Sequence, residues 1–296
     1  MGFYLLKSLL YGILEGVTEW LPVSSTGHLI LLEDLLALHV GTDVHPQFSA
    51  EFTEFFLVAI QLGAILAVIT AYGKRLFPIG ADPETRAGVL RTRICIAVGC
   101  VPAGVAGILA DALLQKLVGK DMDALLYTPA VVSCMLILYG VLFIVMEALQ
   151  KGREPRVSDT GQMSVATALG IGCFQVLSLI PGTSRSGATI LGGMLLGLSR
   201  KAAAEFSFFM AVPVMLGASG IKAFGFARFM LQNHLRMPYE AALTLLVAGV
   251  AAYVTSRLAI KFLMDFSARH GFAPFGVYRI LLGAAVLLTY LFEGVL

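Results

Sequence analysis

The sequence contains few charged residues and few cysteines. Asp, Glu, Lys and Arg make up 14% of the 296 residues, whereas they make up about a quarter of a soluble domain. The formal net charge of +2 is too small to indicate a nucleic-acid partner. The four cysteines lie in apolar segments without a CxxC pair, so we expect buried apolar side chains rather than disulfides or a cysteine-ligated metal. The first residues lack the features of a secretory signal peptide, and we expect them to belong to the mature protein.

The sequence is rich in long runs of apolar residues. Hydrophobic residues make up 58% of the chain, and the mean hydropathy is +0.85. Six apolar segments are long enough to cross a hydrocarbon layer of about 30 Å as helices that rise about 1.5 Å per residue. The segments are 52–72, 94–114, 125–149, 203–226, 241–260 and 274–292. The sequence therefore predicts an all-α, polytopic membrane protein with six transmembrane helices in a single membrane domain.

Two further apolar regions are interrupted by polar residues. Region 3–38 is broken by Pro22 and the polar run 24–28, and region 163–198 is broken by Pro181 and the polar run 183–187. Backbone groups left unpaired by such breaks are stable at membrane depth only inside protein or beside a wet cavity. We therefore predict two re-entrant helix-loop-helix hairpins. The alternative is a pair of short helices joined by a surface loop.

The two broken regions belong to an internal repeat. A shift of 160 residues aligns Gly12 with Gly172, Glu15 with Gln175, Ser24 with Ser184, Thr26 with Ser186, and Gly27 with Gly187. A shift of 154 then aligns 51–53 with 205–207 and 62–64 with 216–218. The predicted halves are about 1–149 and about 163–296, with a linker at about 150–162. Because three spans separate the hairpins, the halves should have opposite topology and the two polar tips should meet near the midplane.

Basic residues are distributed unevenly between the predicted loops. Loops 73–93, 150–162, 199–202 and 257–270 share one face and carry thirteen Lys or Arg residues, against five on the other face. Cytoplasmic loops are enriched in Lys and Arg. The linker is therefore expected in the cytoplasm, and both termini outside.

Glu15 and Glu19 lie four residues apart on the first hairpin helix, so both carboxylates should project from one face. Charged side chains are costly within a bilayer. Two like charges at this spacing also repel, which favours a shared proton or a cation between them. Carboxylates together with waters and phosphate oxygens are the usual ligands of Mg²⁺. The alternative is a solvated pair at the membrane surface.

Hydroxyl and histidine side chains follow the two glutamates. Ser24, Ser25, Thr26 and His28 lie within about one helical turn, where the second hairpin helix should begin. A hydroxyl becomes a nucleophile when a base takes its proton, and His28 or a nearby glutamate could serve. The N–H groups at a helix start also bind anions. The same residues would serve equally well as an ordinary N-cap.

Arg185 lies in the second polar run, between Ser184 and Ser186. A guanidinium matches phosphate oxygens in a bidentate fork and stabilises charge that develops during phosphoryl transfer. Its structural alternative is an ion pair with Glu15 or Glu19 that joins the two halves. Both roles can coexist.

Two motifs carry a resemblance to a known family. Residues 15–28 read EGVTEWLPVSSTGH, and residues 181–189 read PGTSRSGAT. They resemble the two signature regions of bacterial undecaprenyl-diphosphate phosphatase, the bacitracin-resistance protein family, and the resemblance covers essentially the whole chain. It implies hydrolysis of the C55 polyprenyl diphosphate to undecaprenyl phosphate and inorganic phosphate. It also implies a divalent cation, Mg²⁺ or Ca²⁺, and a multi-pass protein of the bacterial inner membrane with its site facing the periplasm or cell exterior.

The resemblance assigns expected roles by position. The implied catalytic residues are Glu15, Glu19, Ser25, His28 and Arg185. The implied phosphate-binding residues are Ser24, Thr26, Gly27, Ser184, Arg185 and Ser186. The metal would be held by Glu15 and Glu19. Attack by Ser25 and direct attack by an activated water both remain open.

Two other functions are compatible with some of these sequence features. The inverted repeat is usual among transporters, which suggests a flippase or carrier for polyprenyl phosphates. A type 2 phosphatidic acid phosphatase also joins Ser, Arg and His around a lipid phosphate. That class needs a further histidine after its Ser-Arg motif, and none lies between Arg185 and His234. A homodimer is left open as an assembly.

Overall fold

The computed structural model describes residues 2–36, 38–42, 44–77, 82–119 and 122–293. Its α-helices are α1 (Gly2–Thr18), α2 (Ser25–Leu36), α3 (Phe48–Ala59), α4 (Gln61–Leu76), α5 (Pro83–Val118), α6 (Met122–Leu126), α7 (Pro129–Gln150), α8 (Val165–Val176), α9 (Arg185–Leu195), α10 (Arg200–Gln232), α11 (Tyr239–His270) and α12 (Ala273–Glu293). Short 3₁₀ turns occupy Thr160–Gln162 and Leu177–Leu179. No strand forms within these ranges, and one isolated bridge joins Val157 to Leu198.

Six helical segments are long and apolar enough to cross a membrane, which confirms the six predicted spans. The first consists of α3 and α4, which meet at Ile60. Segment 125–149 was predicted to begin too early, because α7 begins at Pro129. The Thr128 side chain accepts a hydrogen bond from the N–H of Val131, and such an N-cap with proline at the first helical position fixes a helix start. The chain is a polytopic membrane protein.

The outer surface of the long helices is apolar. Large side chains such as Ile108, Ile221 and Leu231 are exposed on it, as expected where hydrocarbon is the solvent. All four cysteines are free, but Cys134 and Cys173 are exposed. The prediction that every cysteine is buried was therefore wrong for these two. In a membrane protein an apolar side chain can lie on the outer face as easily as in the core.

Both broken regions form helix-turn-helix units. In the first, α1 ends at Thr18 and α2 begins at Ser25. In the second, α8 continues into a 3₁₀ turn that ends at Leu179, and α9 begins at Arg185. The polar turns lie inside the protein, since Ser24 and Thr183 are almost fully buried. The irregular backbone of both turns is therefore enclosed by protein.

Each hairpin's first helix packs on a long helix of the other half of the chain. Helix α1 lies against α11 and helix α8 lies against α5, while α7 packs on α12. Glycines allow this close approach. A Cβ at Gly12 would lie 2.2 Å from the carbonyl oxygen of Ala248, and a Cβ at Gly172 would lie 2.3 Å from that of Gly99. The packing therefore brings the two hairpin turns together at the centre of the molecule.

Candidate active site

The two hairpin turns meet through an ion pair. Arg185, at the start of α9, donates a hydrogen bond from Nη2 to Oε1 of Glu19 over 2.9 Å. The Ser25 hydroxyl, at the start of α2, donates to the other oxygen of Glu19 over 3.3 Å. The side chains of Arg185 and Glu19 are only 11% and 10% exposed, so solvent screens this pair weakly. The predicted meeting of Arg185 with Ser25 and Glu19 is confirmed.

Arg185 is fixed on three sides. Its Nη1 donates to the backbone oxygen of Ser207 in α10 over 2.8 Å. Its guanidinium lies over the ring of Trp20, 5.7 Å from the ring centroid, and Trp20 meets Phe208 edge to face. The ion pair offered as a structural alternative is thus present. The hydrogen bonds to Glu19 and Ser207 use two of the five N–H donors of the guanidinium, so Nη1 and Nη2 each keep one N–H for a further ligand.

Glu15 lies beneath this ion pair and is fully buried. Neither of its carboxylate oxygens has a hydrogen-bond partner among the described residues. This position excludes the alternative of a solvated pair at the membrane surface. Burial of an unpaired charge is costly, so such a carboxyl is stable only when it is protonated or binds a cation.

The carboxylates of Glu15 and Glu19 fit a divalent cation. Where the chain is described, no cluster of three or more potential metal-binding side chains occurs. Mg²⁺ in phosphoryl-transfer sites is commonly held by one or two carboxylates, with waters and substrate phosphate oxygens as its other ligands. Glu15 and Glu19 supply such a pair, which the orphaned oxygens of Glu15 support.

Both turns end on a serine with strained backbone. Ser24 has φ of 72° and Ser184 has φ of 69°, a region that non-glycine residues seldom occupy. Each serine caps the helix that follows: Ser24 Oγ accepts from the N–H of Gly27 over 3.4 Å, and Ser184 Oγ accepts from the N–H of Gly187 over 3.1 Å. Such strain costs about 1–3 kcal/mol and is typical of functional turns. The turns direct the starts of α2 and α9 toward one space.

A cavity of about 220 Å³ fills that space. Its lining includes six of the predicted site residues: Glu19, Ser25, Thr26, Ser184, Arg185 and Ser186. Glu15, Ser24, Gly27 and His28 do not line it. Gln61 and Ser178, which were not predicted as site residues, do. The cavity thus combines hydroxyl groups, one carboxylate and one guanidinium, which are the groups that bind and transfer a phosphoryl group.

His28 is held beside the cavity rather than in it. Its Nδ1 lies 2.7 Å from the carbonyl oxygen of Ser24, and its Nε2 lies 2.6 Å from the hydroxyl of Tyr278, on whose ring it stacks. Because a carbonyl only accepts, Nδ1 carries the proton and Nε2 of the neutral ring accepts from Tyr278. Of the two side chains predicted as possible bases, Glu19 is the one that accepts a hydrogen bond from Ser25.

Gly27 serves packing in this structure. Its N–H is used by the Ser24 cap, and a Cβ at Gly27 would lie 2.9 Å from the side chain of Leu136 in α7. A larger residue would require the end of the Leu136 side chain to move. The close contact between α2 and α7 therefore accounts for a glycine at position 27.

Arg279 in α12 is an important residue that the sequence analysis missed. It is fully buried and donates to the backbone oxygens of Pro22 over 3.2 Å, Gly182 over 2.8 Å and Thr183 over 3.0 Å. The ring of Tyr139 lies 5.6 Å below its guanidinium. One arginine thus supplies donors to the unpaired carbonyls of both turns. A signal was available, since an arginine within predicted span 274–292 is costly unless it has such a role.

Comparisons with known proteins identify the family. The sequence matches the family described as bacitracin resistance protein BacA over residues 8–285. It is similar to an undecaprenyl-diphosphatase of Enterococcus faecalis, with 46% identity over 288 residues that cover 96% of each chain. A Desulfitobacterium hafniense protein of the same name is 45% identical over 287 residues, covering 96% of this chain and 95% of the relative. One from Streptococcus suis is 46% identical over 290 residues, covering 97% of each.

Replacement of Arg279 by methionine should destabilise the protein. The side-chain length is kept while the donors to both turns are lost, so we expect the free energy of unfolding to fall by on the order of 3 kcal/mol. Backbone amides of 182–187 should also exchange hydrogen faster. Thermal unfolding and hydrogen exchange in detergent measure both effects. Arg228→Met, at an exposed position of α10, is the matched control. Equal stability of the two variants would contradict the assigned role of Arg279.

Proposed function

The chain belongs to the bacitracin resistance protein family BacA, and from this membership we propose that it is an enzyme that hydrolyses undecaprenyl diphosphate to undecaprenyl phosphate and inorganic phosphate. The names of its relatives favour hydrolysis over a lipid carrier. The contact of Glu19 with both Arg185 and Ser25 at the edge of the cavity is the observation that carries the assignment.

The proposal places both hairpins within the membrane as re-entrant elements of an inverted repeat. Helices α2 and α9 have 12 and 11 residues, which span about 18 Å and about 16 Å, well short of a hydrocarbon layer of about 30 Å. Repeated details support the duplication: the strained serines 24 and 184, and the contact glycines 12 and 172, occupy aligned positions. The excess of basic residues in the loops of the opposite face supports a bacterial inner-membrane protein whose site faces the periplasm or cell exterior.

The cavity would receive the terminal phosphate of the C55 lipid. Arg185 would bind its oxygens, together with the hydroxyls of Thr26, Ser184 and Ser186 and the first N–H groups of α2 and α9. Ser24 and Gly27 would not contact this phosphate. Their mutual hydrogen bond would fix the start of α2, whose first N–H groups would face the phosphate. His28 would be a positioning residue, since its hydrogen bond to Ser24 stabilises the same turn.

The geometry supports attack by Ser25. Glu19 would take the hydroxyl proton as the Ser25 oxygen forms a bond to the terminal phosphorus and the bond from that phosphorus to the bridging oxygen breaks. Undecaprenyl phosphate leaves with the electron pair of that bond. The departing undecaprenyl phosphate takes the proton from Glu19. A water molecule then attacks the phosphorus of the phosphoserine while Glu19 accepts a proton from that water, and the bond between phosphorus and the Ser25 oxygen breaks. Glu19 returns this proton to the Ser25 oxygen, and inorganic phosphate is released. Arg185 stabilises the charge on the phosphoryl oxygens in both steps.

We propose that Glu15 and Glu19 hold the divalent cation, Mg²⁺ or Ca²⁺. When bound, such an ion neutralises phosphate charge and polarises the phosphoryl oxygens. The chain's own contribution is a carboxylate pair four residues apart, with Glu15 in α1 and shielded from solvent and Glu19 directly after the end of that helix.

Removal of either partner of the central ion pair should abolish most hydrolysis. We expect Arg185→Ala and Glu19→Gln each to lower phosphate release from the C55 diphosphate by about a hundredfold or more, because each removes charge stabilisation or the base. Purified protein in detergent suffices for the measurement. Arg228→Ala and Glu54→Gln change exposed residues of the same types and should retain activity. Wild-type turnover in both site variants would contradict the proposed site.

The role of Ser25 can be tested separately. If it is the nucleophile, Ser25→Ala loses activity and forms no phosphoenzyme, whereas rapid acid quenching of the wild type traps phosphate on Ser25. Ser178→Ala, at another hydroxyl that lines the cavity, is the matched control and should still form the phosphoenzyme. Full activity in Ser25→Ala would eliminate attack by this serine and leave attack by an activated water.

A further inference from the structure

A second cavity, of about 780 Å³, opens at the far end of α9. It lies between the linker and the turn that joins α9 to α10. The ten-residue rise from Arg185 to Leu195 separates its edge from the first cavity by about 15 Å. The lining residues that matter for its chemistry are Arg153, Glu154, Arg156, Leu195, Leu196, Arg200 and Lys201.

The lining is strongly basic. Four cations, from Arg153, Arg156, Arg200 and Lys201, share the cavity with the one carboxylate of Glu154. Of these cations, Arg200 is paired with Glu147, outside the cavity lining. Arg153, Arg156 and Lys201 have no ion pair in the described part of the chain. Because these three positive charges lie close together and repel one another, binding of an anion in the cavity would be favourable.

The walls of the cavity are fixed by backbone hydrogen bonds. The N–H groups of Arg156 and Val157 donate to the carbonyl oxygen of Gly197 over 2.8 Å and 3.1 Å, and the N–H of Ser199 donates back to Val157 over 2.9 Å. The linker is also anchored further along, where Thr160 donates to Glu205 over 3.0 Å. The basic side chains are therefore attached to a defined frame.

The rim of the cavity is apolar. Leu195 and Leu196 are 50% and 37% exposed at the end of α9. Basic side chains beside exposed leucines are complementary to a ligand that has an anionic headgroup and acyl chains. Basic pockets at the membrane boundary are known to bind lipid headgroups. We propose that this cavity binds the phosphate headgroup of an anionic phospholipid, with Arg153, Arg156 and Lys201 around the phosphate and Leu195 and Leu196 against the acyl chains.

Direct binding of a fluorescent phosphatidylglycerol to the purified full chain in neutral detergent tests the site, with fluorescence anisotropy as the readout. The triple variant Arg153→Gln, Arg156→Gln, Lys201→Gln should bind at least about tenfold more weakly than the wild type. A control triple variant, Lys74→Gln, Arg86→Gln, Arg91→Gln, removes the same charge from exposed positions outside the cavity and should bind like the wild type.

Competitors identify the source of the phosphate. Unlabelled phosphatidylglycerol should displace the probe, whereas phosphatidylcholine and inorganic phosphate should not at the same concentration. Displacement by inorganic phosphate at that concentration would overturn a lipid ligand in favour of a soluble anion. Equal loss of binding in both triple variants would show attraction to diffuse surface charge and would also overturn the site. If the cavity triple does not fold, the three single variants are measured, and unchanged affinity in all three contradicts the proposal.

Discussion

A guanidinium and a carboxylate from opposite halves of the chain meet inside the protein, and the site depends on that contact. Arg185 and Glu19 are each about nine-tenths buried, so their attraction acts at low effective dielectric and the loss of one partner would leave a costly unpaired charge. Glu19 also accepts from Ser25. The ion pair thus holds Glu19 beside the Ser25 hydroxyl and Arg185 at the lining of the first cavity.

Two buried arginines contact the polar turns in different ways. Arg279 supplies donors to backbone oxygens at Pro22, Gly182 and Thr183, and it does not line the first cavity. Arg185 contacts Glu19 and lines the first cavity. Arg279 therefore stabilises the irregular backbone of the turns by hydrogen bonds, and Arg185 is available to a ligand.

Much of the architecture could be predicted because the bilayer imposes simple rules on length and polarity. Six apolar segments of about 20 residues predicted six long helices, and Pro22 and Pro181 predicted the two breaks. The meeting of Arg185 with Glu19 followed from the predicted repeat. Other contacts could not be predicted, because they depend on packing between distant helices. They are the carbonyl oxygens that Arg279 contacts, the burial of Glu15 without a hydrogen-bond partner in the described part of the chain, and the position of His28 beside the cavity. The exposed Cys134 and Cys173 show that apolar pattern alone does not separate lipid-facing from buried positions.

The most direct measurement is a double-mutant cycle on the unfolding free energy in detergent, with Glu19→Gln, Arg185→Gln and the double variant. If the ion pair joins the halves, each single variant leaves a buried charge unpaired, and the double variant should be more stable than the sum of the single effects predicts. We expect a coupling energy of about 1 kcal/mol or more. Additive effects would show that the two residues do not interact and would contradict the account.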